Sequence, residues 1–350
     1  MPLGNHTLLL SLEGGLWAFG RNDDGQLGLG DKNDRLQPTE VPWNGPEPVQ
    51  VDWGYDHSLV LDAEGGVWDA GCSRGSPSST LQIIPELPPI AFVAAGYSHS
   101  AALDTEGGLW VWTSKTNLSW VSSLPQRVES FPPIIKVACG NNFLVAEAEE
   151  GLWVLGDNSW GQLGLGHTNL TTQPTHVHME KCSEGPLRCL AALSFGVILI
   201  DSQGGVFSAG YNSKGQLGRS SGDFSKFHRI SNIPNMLTAS CGWGHTLSLD
   251  EEGSVWTWGY NSNGQLGTSD TLDQPQPSLV PELKEMSGLV AGRLHSLAFP
   301  QEGSLLVFGF NQFGQLGLDH TTNQVTPTPS SLQPRLSHLA IRSKQKSARF

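Results

Sequence analysis

Five histidines that open an apolar run in this chain of 350 residues stand directly before a hydroxyl: His6-Thr7, His57-Ser58, His99-Ser100, His245-Thr246 and His295-Ser296. A base beside a hydroxyl is the raw material of nucleophilic catalysis, but a working nucleophile also needs a third group that orients the base. Five repeated copies instead predict a structural task, in which each His and its own neighbouring hydroxyl satisfy backbone groups where a strand begins. A second recurring string, Gly-Gln-Leu-Gly, starts at Gly25, Gly161, Gly215, Gly264 and Gly314. It invites comparison with a phosphate loop, yet it lacks the Lys and the following helix that supply charge and dipole. Its glycines are expected to adopt positive φ and its Leu to plug a gap between repeats. Gln26, Gln162, Gln216, Gln265 and Gln315 are expected to tie their loops through the side-chain amide.

No other constellation suggests chemistry. Cys72, Cys139, Cys182, Cys189 and Cys241 are odd in number and contain no Cys-x-x-Cys pair, so reduced structural thiols are expected, with no metal and no cofactor. Asn5, Asn117 and Asn169 head glycosylation triplets that are read as chance matches, because no leader or anchor is recognised and no apolar stretch approaches the ~20 residues of a membrane span. The expected location is cytoplasmic or nuclear rather than secreted. A formal net charge of −13 argues against a nucleic-acid partner, which would call for a basic stripe. Only residues 342–350, Arg-Ser-Lys-Gln-Lys-Ser-Ala-Arg-Phe, form a basic tail.

The elements that carry these strings repeat. One position, the large residue shortly before the glycine that closes each apolar run, gives the register: Trp17, Trp68, Trp110, Trp153, Phe207, Trp256 and Leu306. Spacings of 51, 42, 43, 54, 49 and 50 residues belong to repeat folds built of β-sheet blades. Each Trp is expected to wedge between blades. Within one unit, Val49-Gln50-Val51, residues 57–61, residues 66–70 and residues 80–84 read as strands A, B, C and D, divided by Gly and Pro turns. The chain starts with a B run at His6 and ends with an A run at residues 336–341. The expectation is therefore an all-β, seven-bladed β-propeller of four-stranded antiparallel blades over residues 1–341, a single domain and a monomer. Its last strand completes the first blade and so leaves only short protected edges.

The unit Gly-x-x-His-Ser/Thr, an acidic-Gly turn, an apolar run with Trp and Gly-x-Asn-x-x-Gly-Gln-Leu-Gly resembles the regulator of chromosome condensation repeat. The best copies run from Gly242-Trp243-Gly244-His245-Thr246 to Gly267 and from Gly292-Arg293-Leu294-His295-Ser296 to Gly317. The resemblance implies the same seven-bladed fold. Two blades depart from it: Cys72-Ser73-Arg74-Gly75-Ser76-Pro77 and Thr113-Ser114-Lys115-Thr116-Asn117 stand where the tetrad belongs.

Specificity must lie where the copies differ. In an A-B-C-D meander the A–B and C–D connections share one end of the ring, which gathers a candidate partner-binding face. Its A–B turns give Tyr55, Asp56, Tyr97, Asn141, Trp243 and Arg293, and its C–D loops give Asp23, Asp24, Trp160, Lys214, Asn263 and Phe313. Aromatic anchors ringed by polar groups suit protein recognition, although several of these rings could instead cap blade ends. The leading functional reading is a non-enzymatic protein-interaction scaffold. The alternative, implied by the family, is a guanine-nucleotide exchange factor for a small GTPase, with Asp23, Asp24 and Asp56 as the acidic residues. Against it stand the two short blades, which leave no spare residues for the inserted β-wedge that exchange-active members use. Light sensing, which in this family relies on Gly-Trp-Arg-His-Thr motifs, is represented by a single copy at Trp243 that lacks the Arg.

Overall fold

The computed structural model describes residues 3–11, 13–114, 120–179 and 185–330, and among these there is no helix. Seven antiparallel sheets follow one another around a ring. The second blade is typical, with strand A at Pro48–Trp53, B at His57–Asp62, C at Val67–Gly71 and D at Ser78–Ile83. Six blades have four strands. The first shows three, His6–Leu10, Leu16–Gly20 and Arg35–Glu40. The strand expected to complete it, residues 336–341, and the basic tail lie outside the described residues.

Strand chemistry follows radial position. Every residue of strand B is buried in the second, fourth, fifth, sixth and seventh blades. Such a strand is covered on both faces, which is why it reads as a nearly continuous apolar run rather than an alternating one. Strand D forms the rim and carries Pro38, Pro174, Pro275, Pro277 and Pro327. Proline removes N–H donors from an exposed edge and so discourages pairing with another chain.

Blades adhere through apolar clusters that cross their boundaries. One cluster joins Leu8, Phe19 and Leu16 of the first blade to Val60 of the second and to Leu297, Val307 and Leu316 of the seventh. Ring closure is also direct at the backbone: Arg293 N donates to Gly4 O at 3.1 Å, and Asp319 N to Leu36 O at 3.0 Å.

The strand-C tryptophans correct one expectation. Trp17, Trp68, Trp110, Trp153 and Trp256 are half-buried rather than wedged in the core. Trp68, Trp110 and Trp256 donate their indole N–H to Asp62, Asp104 and Asp250 at 2.8, 3.0 and 3.0 Å. Each of these aspartates also accepts two backbone N–H groups of its own B–C turn, as Asp62 does from Glu64 and Gly66. The indole therefore braces the turn opposite the candidate face. The wedge between blades is the residue two positions later, Trp112 or Trp258, both fully buried.

Candidate interaction face

Both kinds of turn emerge at one end of the ring. In six blades the backbone N–H after strand C donates to the A–B turn of its own blade, as Cys72 does to Asp56 at 2.8 Å, Asp157 to Asn142 at 2.9 Å, Tyr211 to Phe195, Tyr260 to Gly244 and Phe310 to Leu294; in the third the Thr113 hydroxyl donates to Ser98 O at 2.6 Å. The shared end is thus held by hydrogen bonds and does not depend on side-chain packing.

The A–B turns also link to one another around the mouth of the ring. Tyr55 N donates to Tyr97 O, Tyr97 N to Gly140 O, Asn141 N to Ser194 O and Trp243 N to Arg293 O, all within 2.9–3.0 Å. Neighbouring turns come so close that a Cβ at Gly96 would lie 2.8 Å from Gly140 O, and one at Gly140 would lie 2.8 Å from Leu193 O. This contact, together with the still closer ring of the turn's own His99 or Phe143, is the reason for glycine at the head of Gly-x-x-His.

The histidines form a relay between blades. His6 Nε2 lies 2.9 Å from Ser58 Oγ, His57 Nε2 3.0 Å from Ser100 Oγ, His245 Nε2 3.1 Å from Ser296 Oγ and His295 Nε2 2.9 Å from Thr7 Oγ1. The hydroxyls of Ser58, Ser296 and Thr7 donate onward to the carbonyls of Gln26, Gln265 and Gln315 at 2.7, 2.7 and 3.0 Å. With the hydroxyl proton committed there, Nε2 must carry the donated proton, so His6, His245 and His295 are neutral Nε2–H tautomers. The expectation that each His works beside its own hydroxyl is corrected here. Adjacent strand residues point to opposite faces, so the partner comes from the next blade. Among the described residues His99 hydrogen-bonds no side chain, because the corresponding residue of the fourth blade is Leu144. Burial pushes His99, His245 and His295 down to about 3, and burial together with neighbouring His57, His295 and Arg21 pushes His6 well below the usual value. These groups are inert as bases near neutrality, and their role is to join blades.

The tetrad behaves as its residue types require. Both glycines have positive φ in all five copies, as at Gly25 (82°) and Gly28 (71°). Leu27, Leu163, Leu217, Leu266 and Leu316 are at most 1 % exposed. Gln26, Gln162, Gln216, Gln265 and Gln315 each accept, through Oε1, the N–H two residues earlier, at 2.8–3.0 Å. Those donors are Asp24, Trp160, Lys214, Asn263 and Phe313, so the framework glutamines fix the backbone of five of the variable positions.

The variable side chains fall into two groups. Around the first three blades and the seventh, Tyr55 stacks on Tyr97 with ring centroids 4.5 Å apart. The guanidinium of Arg293 lies 5.0 Å from the Tyr55 centroid, and that of Arg21 lies 5.2 Å from Tyr55 and 6.0 Å from Phe313. Arg21 pairs with Asp23 at 2.6 Å and stands 3.9 Å from Asp24. Burial would lower the Arg21 pKa, but its bonds to Asp23 and Tyr55 hold it above the usual range. Asp24 is raised by burial and by the neighbouring Asp23 and Asp56 carboxylates. Asp56 itself approaches His57 Nδ1 at 3.4 Å.

Across the fourth to sixth blades the group is more apolar. Trp160, 49 % exposed, packs on Tyr211 at 4.5 Å, and Tyr211 also meets Phe195 at 6.4 Å. Trp243 meets Tyr260 edge-on at 5.6 Å. Lys214 reaches over Tyr260 at 5.5 Å while pairing with Asp273 at 3.1 Å. Asn263 accepts from Asn323 at 3.3 Å, and Asn141 contributes its backbone to the mouth.

Sequence reasoning missed Arg21, Tyr211, Tyr260 and Phe310. All four occupy the variable position in Gly-x-Asn, and that variability between copies was the available signal. Among the described residues no group of three or more His, Cys, Asp or Glu could hold a metal ion.

The two short blades fill the place of the tetrad differently. In the second, Ser73 Oγ accepts the indole N–H of Trp112 at 2.8 Å, the part that Gln216 O plays for Trp258 at 3.0 Å. Arg74 locks that loop through a bidentate pair with Asp69 at 2.9 and 3.0 Å. In the third, Trp120 covers His99 edge-on at 5.5 Å. The long excursion before the fifth blade lies partly outside the described residues. Its end is tied at Leu187 to the buried pair of Lys136 and Glu147, 2.6 Å apart, at the end of the ring opposite the face.

Comparison with known proteins agrees with this geometry. The RCC1-like domain profile matches residues 75–345, and the regulator of chromosome condensation (RCC1) repeat matches residues 13–61. The chain is 27 % identical to the RCC2 homolog of Danio rerio over 245 residues, covering 62 % of this chain and 42 % of that protein. It is 29 % identical to the ultraviolet-B receptor UVR8 of Arabidopsis thaliana over 254 residues, covering 70 % of this chain and 49 % of the receptor. The chain thus spans less than half the length of these curated relatives. Among solved structures, Prp20p of Saccharomyces cerevisiae superposes with a TM-score of 0.82 at 21 % identity, covering 93 % of this chain and 88 % of that one. From the tetrad loops through the seven closed blades to the match over residues 75–345, the chain belongs to the RCC1-like domain family.

Proposed function

We propose that the chain is a non-enzymatic interaction scaffold that grips a protein partner with the face formed by its A–B and C–D turns. The observation that carries this is the set of aromatic side chains, Trp160, Trp243 and Phe313, held partly exposed on fixed backbone: framework glutamines hold the loops of Trp160 and Phe313, and the bond from Trp243 N to Arg293 O holds the turn of Trp243. Rigid aromatic anchors beside charged groups lose little entropy on binding and dominate interface energies. The structure described as that of Prp20p is reported with its binding properties to Gsp1p and histones, which supports a protein-binding role for this fold. A cytoplasmic or nuclear location is part of the same reading.

The test is a triple W160A/W243A/F313A variant compared with the native chain in quantitative pull-down and thermal melting. Loss of the recovered partner with little change in melting temperature is expected. Full retention of the partner by a folded variant would remove the face assignment.

A second reading, nucleotide exchange on a small GTPase, is favoured by the juxtaposition of Asp23, Asp24 and Asp56. A panel of small GTPases loaded with fluorescent nucleotide separates the two: accelerated release by the purified chain establishes exchange, and no release alongside a captured partner leaves the scaffold.

A further inference from the structure

Arg293 is the unusual charged group on this face. It sits in the A–B turn of the seventh blade, and its backbone N–H bonds Gly4 O of the first. The first blade contributes a glycine at the matching point of the mouth, so its turn has no side chain to fill the space between the seventh blade and the second. The guanidinium of Arg293 crosses that space and comes to rest 5.0 Å from the centroid of Tyr55. Tyr55 is itself stacked on Tyr97 at 4.5 Å with an interplanar angle of 17°. A guanidinium stacked on an aromatic ring keeps its in-plane N–H donors available while its orientation is fixed.

Those donors are unused. Among the described residues Arg293 forms no ion pair, and its Nε is shielded from solvent without any hydrogen-bond partner. The nearby carboxylates are engaged elsewhere: Asp23 by Arg21 at 2.6 Å, and Asp56 beside His57 at 3.4 Å. Every other described arginine except Arg229 has a side-chain partner. Arg21, Arg35, Arg74, Arg127 and Arg188 pair with carboxylates, and Arg219 is bonded to hydroxyl and carbonyl oxygens. Arg229 lies at the rim, in the outer strand of the fifth blade. A shielded, unpaired cationic donor is costly in a free protein unless a partner satisfies it, and an oriented guanidinium matches a carboxylate in two parallel hydrogen bonds.

We propose that the mouth of the ring between the seventh and second blades is a carboxylate subsite. Arg293 receives the side chain of an Asp or Glu on a partner protein's loop, and the flanking rings of Tyr55 and Phe313 take an adjacent apolar residue of that loop. This rests on the interaction-face reading above, and it names the chemistry that one half of the face selects.

The experiment is a titration of the native chain with two blocked peptides, acetyl-Gly-Phe-Glu-Phe-Gly-amide and its Gln counterpart, followed by the Nε–Hε resonance of Arg293 and, for the native chain and the Arg293 variants alike, by isothermal calorimetry, with inorganic phosphate as a third ligand. A saturable shift is expected with the Glu peptide and not with the Gln peptide. R293Q should weaken binding at least about tenfold, and R293K should recover only part of it. Because the Arg293 side chain bonds no described residue, R293Q should melt with the native chain; R293K gives the same comparison if it does not. Equal shifts from both peptides, or equal affinity in R293Q, would overturn the subsite. Saturation by phosphate below the peptide concentration would overturn the protein carboxylate as its occupant. The triple aromatic variant keeps Arg293, so failure of the face and failure of this subsite are read in separate experiments.

Discussion

His295 and Thr7, 288 positions apart in the chain, meet at 2.9 Å and join the seventh blade to the first. Thr7 Oγ1 also donates to Gln315 O at 3.0 Å, and all three groups are buried. T7V keeps the side-chain shape but strands both partners, and it should cost about 2–3 kcal/mol. T246V is the internal control. The fifth blade presents Gly196 where a histidine would reach Thr246, and the bond from Thr246 to Gln216 O is long at 3.4 Å. That change should cost about 1 kcal/mol or less. Equal losses of stability in urea unfolding would contradict the relay.

Acid should destabilise the ring more steeply than its carboxylates alone require. His6, His99, His245 and His295 have folded pKa values pushed below 6.5 by burial. The unfolded chain therefore binds more protons, so stability is complete above pH ~6.5 and is lost as pH falls from there toward about 3. Each histidine contributes up to about 1.4 kcal/mol per pH unit to the slope. H99F removes one of the four without breaking a side-chain hydrogen bond, and Phe143 already fills the same place in the fourth blade. Denaturation at pH 7.5 and 5.5 should show H99F about equal to the native chain at the higher pH and more stable at the lower. An unchanged pH slope in H99F would count against this account.

Two glycines with similar φ should respond very differently to alanine. Gly75 (92°) has nothing within 4 Å of an added Cβ, so G75A should cost only the left-handed strain of about 1–2 kcal/mol. At Gly215 (76°) the added carbon would collide with the backbone of Pro275 in the next blade. G215A should lose at least about 3 kcal/mol, because backbone on a neighbouring blade cannot step aside locally. Comparable stabilities in guanidinium unfolding would show that the blades slide more freely than the contacts imply.

Arg219 is 8 % exposed and stacks on Phe224 at 4.7 Å. Its guanidinium donates to Ser208 Oγ and to the carbonyls of Ser208, Ser221, Asp223 and Lys226. Burial lowers its pKa to about 10, still fully charged at neutrality. R219M should destabilise by about 2–3 kcal/mol and expose residues 219–227 to limited proteolysis. R219K should protect poorly, since a single ammonium cannot reproduce the planar fork. Cleavage of R219K no faster than of the native chain would show that charge alone holds the loop.

The ring was legible because its constant residues obey local rules: Gly25 and Gly28 need positive φ, and Leu27 needs burial, wherever the tetrad occurs. The histidine relay was not legible, because His57 meets Ser100 across 43 positions and the adjacent Ser58 points the other way. The strand-C tryptophans gave the correct period but the wrong depth. Trp256 binds Asp250 in its own turn while Trp258, two residues on, fills the core. On the face, Trp160 and Arg293 stood out as variable letters. Arg21, Tyr211 and Tyr260 were passed over because they sit inside a motif otherwise read as framework.

The mouth turn of the fifth blade inverts the usual order, with Leu193 in the glycine position and Gly196 in that of the histidine. A Cβ on Gly196 would stand 3.2 Å from Leu193 Cδ1, so the leucine occupies the space a histidine ring fills elsewhere. Each half of this exchange presupposes the other. Glycine alone at 193 leaves a hole, and histidine alone at 196 has no room. The turn of the fifth blade is therefore a matched pair of departures, and either residue restored alone is expected to leave a less stable chain than both together.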